Sequence, residues 1–145
     1  MKKQGFTLIE LLITITIIGI LAAAAATAYI GSIKKAARSE AYTNLDALRL
    51  LQEAYFSDRA VYAPTAANLA AIQTNLPGFR PDPNRSFDYA TTLNFAITGG
   101  GNTTADPPTT AATETPCFVA TATGIANSRV DGDVFAVDCN NNKNY

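Results

Sequence analysis

From Leu11 to Ile33 the chain runs 23 residues without a charge, most of them Ile, Leu or Ala. About 20 apolar residues wound as a helix cross a bilayer core. A head built from the roughly 110 more polar residues that follow is too small to enclose such a rod. Overall, apolar residues make up 48% of the 145-residue chain, an ordinary globular share, so it is their distribution that is unusual. Length alone argues for one small domain. The net charge of −1 and the isoelectric point near 5.3 argue against a basic nucleic-acid-binding domain. There is no histidine and no tryptophan. Lack of His removes the commonest general base and transition-metal ligand, which excludes a His-dependent hydrolase and a His-ligated zinc site. Gly99-Gly100-Gly101 has no following Lys and reads as a flexible turn, not a phosphate cradle. The sequence thus predicts no enzyme, no catalytic residue, no cofactor and no metal.

Three generic readings fit the amino end, Met1-Lys2-Lys3-Gln4-Gly5-Phe6-Thr7-Leu8-Ile9-Glu10. One is a secretory signal cut near Ala22 to Ala26; another is a plain membrane anchor. The third is a leader cut at its short basic end, leaving the apolar segment on the mature protein. The apolar run exceeds the 7 to 15 residues usual for a signal. Glu10 stands at its leading edge, where a carboxylate is costly and marks function, with a partner to be named. The bland reading of Glu10 is an interfacial carboxylate needing no partner. Lys2 and Lys3 precede the span while Lys34, Lys35 and Arg38 follow it, so the positive-inside rule does not fix orientation.

Gly5-Phe6-Thr7-Leu8-Ile9-Glu10, behind a Lys-containing leader and ahead of an Ile/Leu/Ala helix, resembles the processing site of bacterial type IV prepilins. The resemblance covers the first 40 or so residues. It implies that a membrane prepilin peptidase cuts between Gly5 and Phe6 and methylates the new amino group of Phe6. It further implies that the assembly machinery moves the segment from the cytoplasmic membrane into the core of a helical surface filament of identical subunits, with Glu10 as the assembly carboxylate. A new α-amino group is largely cationic at neutral pH, so that of one subunit can neutralise Glu10 of a neighbour. Such a pair acts on register more than on net stability. Adhesion, twitching motility and DNA uptake are tasks open to such a filament. Nucleic-acid contact has only the scattered Arg80, Arg85 and Arg129 behind it, and these read as solvated surface. A major pseudopilin of type II secretion is the alternative. Thr27 stands where the family often has a proline; the missing helix breaker argues against local melting of the helix there, which only Gly19 would still permit.

Past Ile30 the sequence turns amphipathic. Ile30, Ile33, Ala37, Ala41, Leu45, Leu48, Leu51 and Tyr55 recur at three- and four-residue steps. Asp46, Arg49 and Glu53 lie on the other side at spacings that allow weak ion pairs. One helix is expected from about Thr7 to Phe56, about 75 Å long at 1.5 Å per residue. The expected parts are a leader (1–5), a transmembrane and filament-core helix (6–33), its amphipathic continuation (34–56) and a globular head (57–145).

In the head, Leu69, Ile72 and Leu76 predict a short helix ended by Pro77-Gly78. Alternation predicts a strand over Phe87–Thr98, with two more over Phe118–Thr123 and Val134–Cys139 joined by a turn. The expected class is α+β: a long helix packed on an antiparallel sheet of three or four strands. Thr98–Pro116 reads as an exposed loop, with O-glycosylation as its functional alternative. Asn84 and Asn102 fit a short N-glycosylation pattern that is frequent by chance. Cys117 and Cys139, delivered to an oxidising compartment, read as a disulfide, with unrelated buried thiols as the bland alternative. A carboxy-terminal disulfide loop is also a trait of the pilins that the amino end resembles. Asp131, Asp133, Asp138, Asn140 and Asn142 offer oxygen ligands suited to calcium, yet without an EF-hand arrangement. Turn and strand-edge use is the preferred reading.

Overall fold

The computed structural model describes residues 6–97, 109–112 and 115–145. Its elements are helices α1 (Leu8–Arg59) and α2 (Leu69–Asn75), then strands β1 (Phe87–Leu93), β2 (Phe95–Ile97), β3 (Thr109–Ala111), β4 (Phe118–Gly124) and β5 (Val134–Asp138). A long apolar-to-amphipathic helix and a small antiparallel sheet make the fold α+β. The chain divides into two compact units, Met1–Lys35 and Ala36–Tyr145.

In the first unit, α1 continues without a break through Gly19 and Thr27. Five consecutive alanines favour this, and Thr27 adds no helix-breaking ring. Thr14, Thr16 and Thr27 donate their hydroxyls to Leu11, Leu12 and Ala24 carbonyls at 2.8, 2.7 and 3.0 Å. Each threonine is therefore satisfied within its own helix, as a lipid-facing segment requires. Every residue from Phe6 to Ser32 is exposed.

The second unit is built on a buried cluster that joins Ala41, Leu45 and Leu48 of α1 to Ile72, Phe79, Phe87, Tyr89, Phe118 and Phe135. The packed stripe starts later than the periodicity suggests, because Ile30 is exposed and Ile33 only half-buried. It also contains Gln52, fully buried, whose side-chain oxygen accepts from Ala63 N–H at 2.9 Å and so ties down the chain leaving the helix. α2 starts at Asn68, whose side chain caps Ala71 N–H at 3.0 Å.

The main sheet has the order β1-β4-β5, antiparallel throughout, with Tyr89 opposite Ala122 and Ala122 opposite Phe135. Phe87, Tyr89 and Thr91 alternate into the core as expected. The single strand expected over Phe87–Thr98 is instead two. Asn94 adopts φ +60 and its N–H turns to Cys117 C=O, a left-handed step that Asn tolerates. Beyond it β2 leaves the sheet and pairs with β3, and Phe95 stands 38% exposed. β3 also corrects the reading of Thr98–Pro116 as loop throughout; residues 98–108, 113 and 114, with Asn102 and most of the candidate glycosylation region, lie outside the described residues.

Both edges of the main sheet are closed. Ala66 exchanges two hydrogen bonds with Thr91 of β1, at 2.9 and 2.8 Å. On β5, the tail folds back so that Lys143 bridges Val137 and the Asn144 side chain accepts from Ala136 N–H at 2.8 Å. Between β4 and β5, Gly124 lies so close to Val130 that a Cβ there would sit 1.9 Å from its carbonyl oxygen.

Candidate assembly site

Glu10 sits in the first turn of α1. Its Oε2 accepts from Thr7 N–H at 2.9 Å and from Thr7 Oγ1 at 2.7 Å, while Glu10 N–H donates back to Thr7 Oγ1 at 3.3 Å. Thr7 and Glu10 form a capping box, which satisfies donors that a helix start leaves open. The carboxylate is thereby held at the backbone of Thr7, the residue after Phe6, which is 78% exposed. Sequence reasoning named Glu10 and missed Thr7, although Thr-x-x-Glu ahead of an apolar run is a readable signal. Gly5, on the other side of the expected cut, lies outside the described residues.

Cys117 and Cys139 form a disulfide that joins the start of β4 to the end of β5, with Cα atoms 5.4 Å apart. The nearby Asp and Asn side chains serve turns and ion pairs. Asp138 accepts from Ile97, Asn140 and Asn142 N–H at 3.1, 2.9 and 2.8 Å. Asp131 accepts from Asn127 N–H at 2.9 Å. Asp133, buried, takes both its oxygens to Arg38 in a two-pronged pair at 2.7 and 2.8 Å, a strong and directional contact. The intrahelical ion pairs expected of Asp46 and Glu53 give way to longer-range partners: Asp46 meets Lys143 at 2.6 Å, and Glu53 meets the Tyr62 hydroxyl at 3.2 Å. No sequence spacing announces contacts 95 or 97 residues apart.

Residues 1–26 match the family model described as the prokaryotic N-terminal methylation motif. The type IV major pilin protein PilA of Myxococcus xanthus is 39% identical over 88 residues, which are 61% of this chain and 36% of that protein. The fimbrial protein of Moraxella nonliquefaciens is 57% identical over 47 residues, 32% of this chain and 30% of that one. Over its amino-terminal part this chain is similar to type IV pilins and fimbrial proteins. The type II secretion system core protein G of Vibrio cholerae is 34% identical over 88 residues, 61% of this chain and 60% of that protein. The chain thus spans between about a third and three fifths of the length of these curated relatives. No solved structure matches it.

Proposed function

We propose that this chain is a structural, non-enzymatic subunit of a type IV pilus. On this reading it enters the cytoplasmic membrane as a precursor, loses residues 1–5 to prepilin peptidase between Gly5 and Phe6, and is methylated on the Phe6 amino group. The assembly machinery then brings it into a helical filament at the cell surface. Each Glu10 meets the Phe6 amine of another copy, exchanging its Thr7 bonds for a charged partner. The carrying observation is that every residue from Phe6 to Ser32 is exposed in the single chain, whereas the unit from Ala36 onward has its own closed core. Apolar surface on that scale is stable only in lipid or against other chains.

A second reading has its own support. The match to the core protein G of Vibrio cholerae covers 60% of that protein, so a major pseudopilin of type II secretion remains the alternative. The carboxy-terminal disulfide favours the pilus. Electron microscopy of sheared surface material, with mass spectrometry of its subunit, tests both. The pilus reading expects long filaments whose subunit begins at methylated Phe6. Surface material without this chain, together with a secretion defect on its deletion, would transfer the assignment to the pseudopilin.

A further inference from the structure

An outer strand offers its outward N–H and C=O groups to any strand that comes alongside. On β5 these groups include Val134 C=O, Ala136 N–H and C=O, and Asp138 N–H and C=O, and the tail that follows takes each of them. Ala136 N–H donates to the Asn144 side-chain oxygen at 2.8 Å, and Val134 C=O accepts from the Asn144 side-chain amide at 3.0 Å. Asn144 N–H donates to Ala136 C=O at 3.4 Å, Asp138 N–H to Asn142 C=O at 3.1 Å, and Asn141 N–H to Asp138 C=O at 3.0 Å. The buried Asn144 side chain thus does what a peptide unit does in a neighbouring strand, donating and accepting along the edge. The tail is pinned on both sides of this contact. Asn142 N–H and Nδ2 bond the two oxygens of the buried Asp138 at 2.8 and 2.9 Å. Lys143 and the Tyr145 hydroxyl share Asp46 Oδ1 of α1 at 2.6 and 3.4 Å, and the Tyr145 ring stacks on Tyr42 with centroids 4.3 Å apart.

We propose that residues 140–145 are an autoinhibitory strap, and that Asn144 is the residue through which the strap keeps β5 from pairing with β5 of a second copy. The covered strand is self-complementary. Ala136 turns both its N–H and its C=O outward, so two antiparallel β5 strands related by a twofold axis through Ala136 exchange both bonds there. The same register sets Val134 C=O against the Asp138 N–H of the other copy, and no like charges meet. Val134-Phe135-Ala136-Val137 is uncharged and rich in strand-forming side chains. Loss of the strap leaves the strand in place, because β5 stays paired with β4 and the disulfide at Cys139 precedes the tail. The inference does not depend on the filament reading: any setting that crowds copies of this head together exposes an uncovered edge to pairing.

The test uses the full chain in excess detergent, followed by hydrogen exchange of β5 and by light scattering. Asn144→Ala, and removal of residues 141–145, are expected to speed β5 amide exchange on the order of tenfold or more at about 5 µM. At about 200 µM both are expected to regain protection in β5 while the protein mass rises towards twice that of the wild type. The wild type and Asn140→Ala, a change at an exposed tail side chain, keep β5 protected and the mass unchanged at both concentrations. An intact disulfide and an unchanged far-ultraviolet spectrum identify a folded variant; should one of the two fail to fold, the other carries the test. Fast β5 exchange with unchanged mass at both concentrations would make the tail a structural clamp only and overturn the proposal. Association that leaves β5 unprotected would overturn it as well.

Discussion

Thr7 and Glu10 show how one carboxylate can be kept quiet and available. Within the single chain the capping box gives Glu10 two donors from one residue, so the acid at the start of the apolar run is hydrogen-bonded. An amine from a second copy offers charge as well as hydrogen bonds, and charged partners are the stronger. Glu10→Val is therefore expected to yield a processed, membrane-inserted protein whose filament fraction falls on the order of tenfold or more, since an unpaired amine in apolar surroundings is costly. Glu10→Gln keeps an acceptor for Thr7 and lacks the charge. If it assembles normally, capping alone suffices and pairing with an amine is refuted. Glu40 poses a different problem. Its Oε1 is buried without a hydrogen-bond partner among the described residues. Burial, followed by the nearby Asp82, pushes its carboxyl above the usual range. In acid both folded and unfolded chains carry the proton, and the group is neutral to stability. As pH rises through the raised pKa the folded state acquires an ill-solvated charge, and that cost persists to neutral pH. The side chain is partly exposed, so the effect is small. Glu40→Gln in detergent should raise the melting temperature at pH 7 by on the order of 1–2 °C. Below about pH 4 the gain should vanish. An equal gain at both pH values would assign it to packing.

Among the elements, periodicity carries far where it is sustained. The 3.6-residue pattern of α1 and of Leu69, Ile72 and Leu76, and the short apolar runs of β4 and β5, were legible because many residues repeat one signal. The break between β1 and β2 was not, because it depends on Asn94 alone adopting a positive φ in an otherwise perfect alternation. Nor was β3, whose Thr-rich composition reads as loop until β2 supplies a partner. At the site the pattern was similar: Glu10 is conspicuous by its charge, and two cysteines leave one pairing. Gln52, Asn144 and the Arg38–Asp133 pair depend on distant backbone and stay hidden in a linear text. The disulfide closes β4 onto β5 across a sequence separation of 22. Replacing both cysteines by serine should cost about 3 kcal/mol in the chain-entropy account. Denaturant titration of the full chain in detergent checks this; a change below about 1 kcal/mol would mean that the sheet register alone fixes these strand ends.

For the whole molecule, the question is which surface drives association. Open sheet edges recruit strands from other chains, yet here Ala66 closes β1 and the tail at Lys143 and Asn144 closes β5. From Ala36 onward the chain has seven Lys and Arg against eleven Asp and Glu, a net −4, so copies of the head repel at low salt. On the proposed reading, loss of residues 1–5 would take Lys2 and Lys3 with it and shift the full chain from −1 to −3, in the same direction. On the filament reading, assembly then depends on the apolar segment, whose residues from Phe6 to Ser32 are all exposed in the single chain. A chain begun at Ala36 is accordingly expected to stay soluble without detergent and to sediment as a monomer at about 100 µM. Its disulfide should be intact, and its far-ultraviolet spectrum should show helix and sheet together. The full chain under the same conditions should pellet unless detergent covers residues 6–33. A stable oligomer of the shortened chain would put the driving contact in the head and make the apolar segment an anchor only.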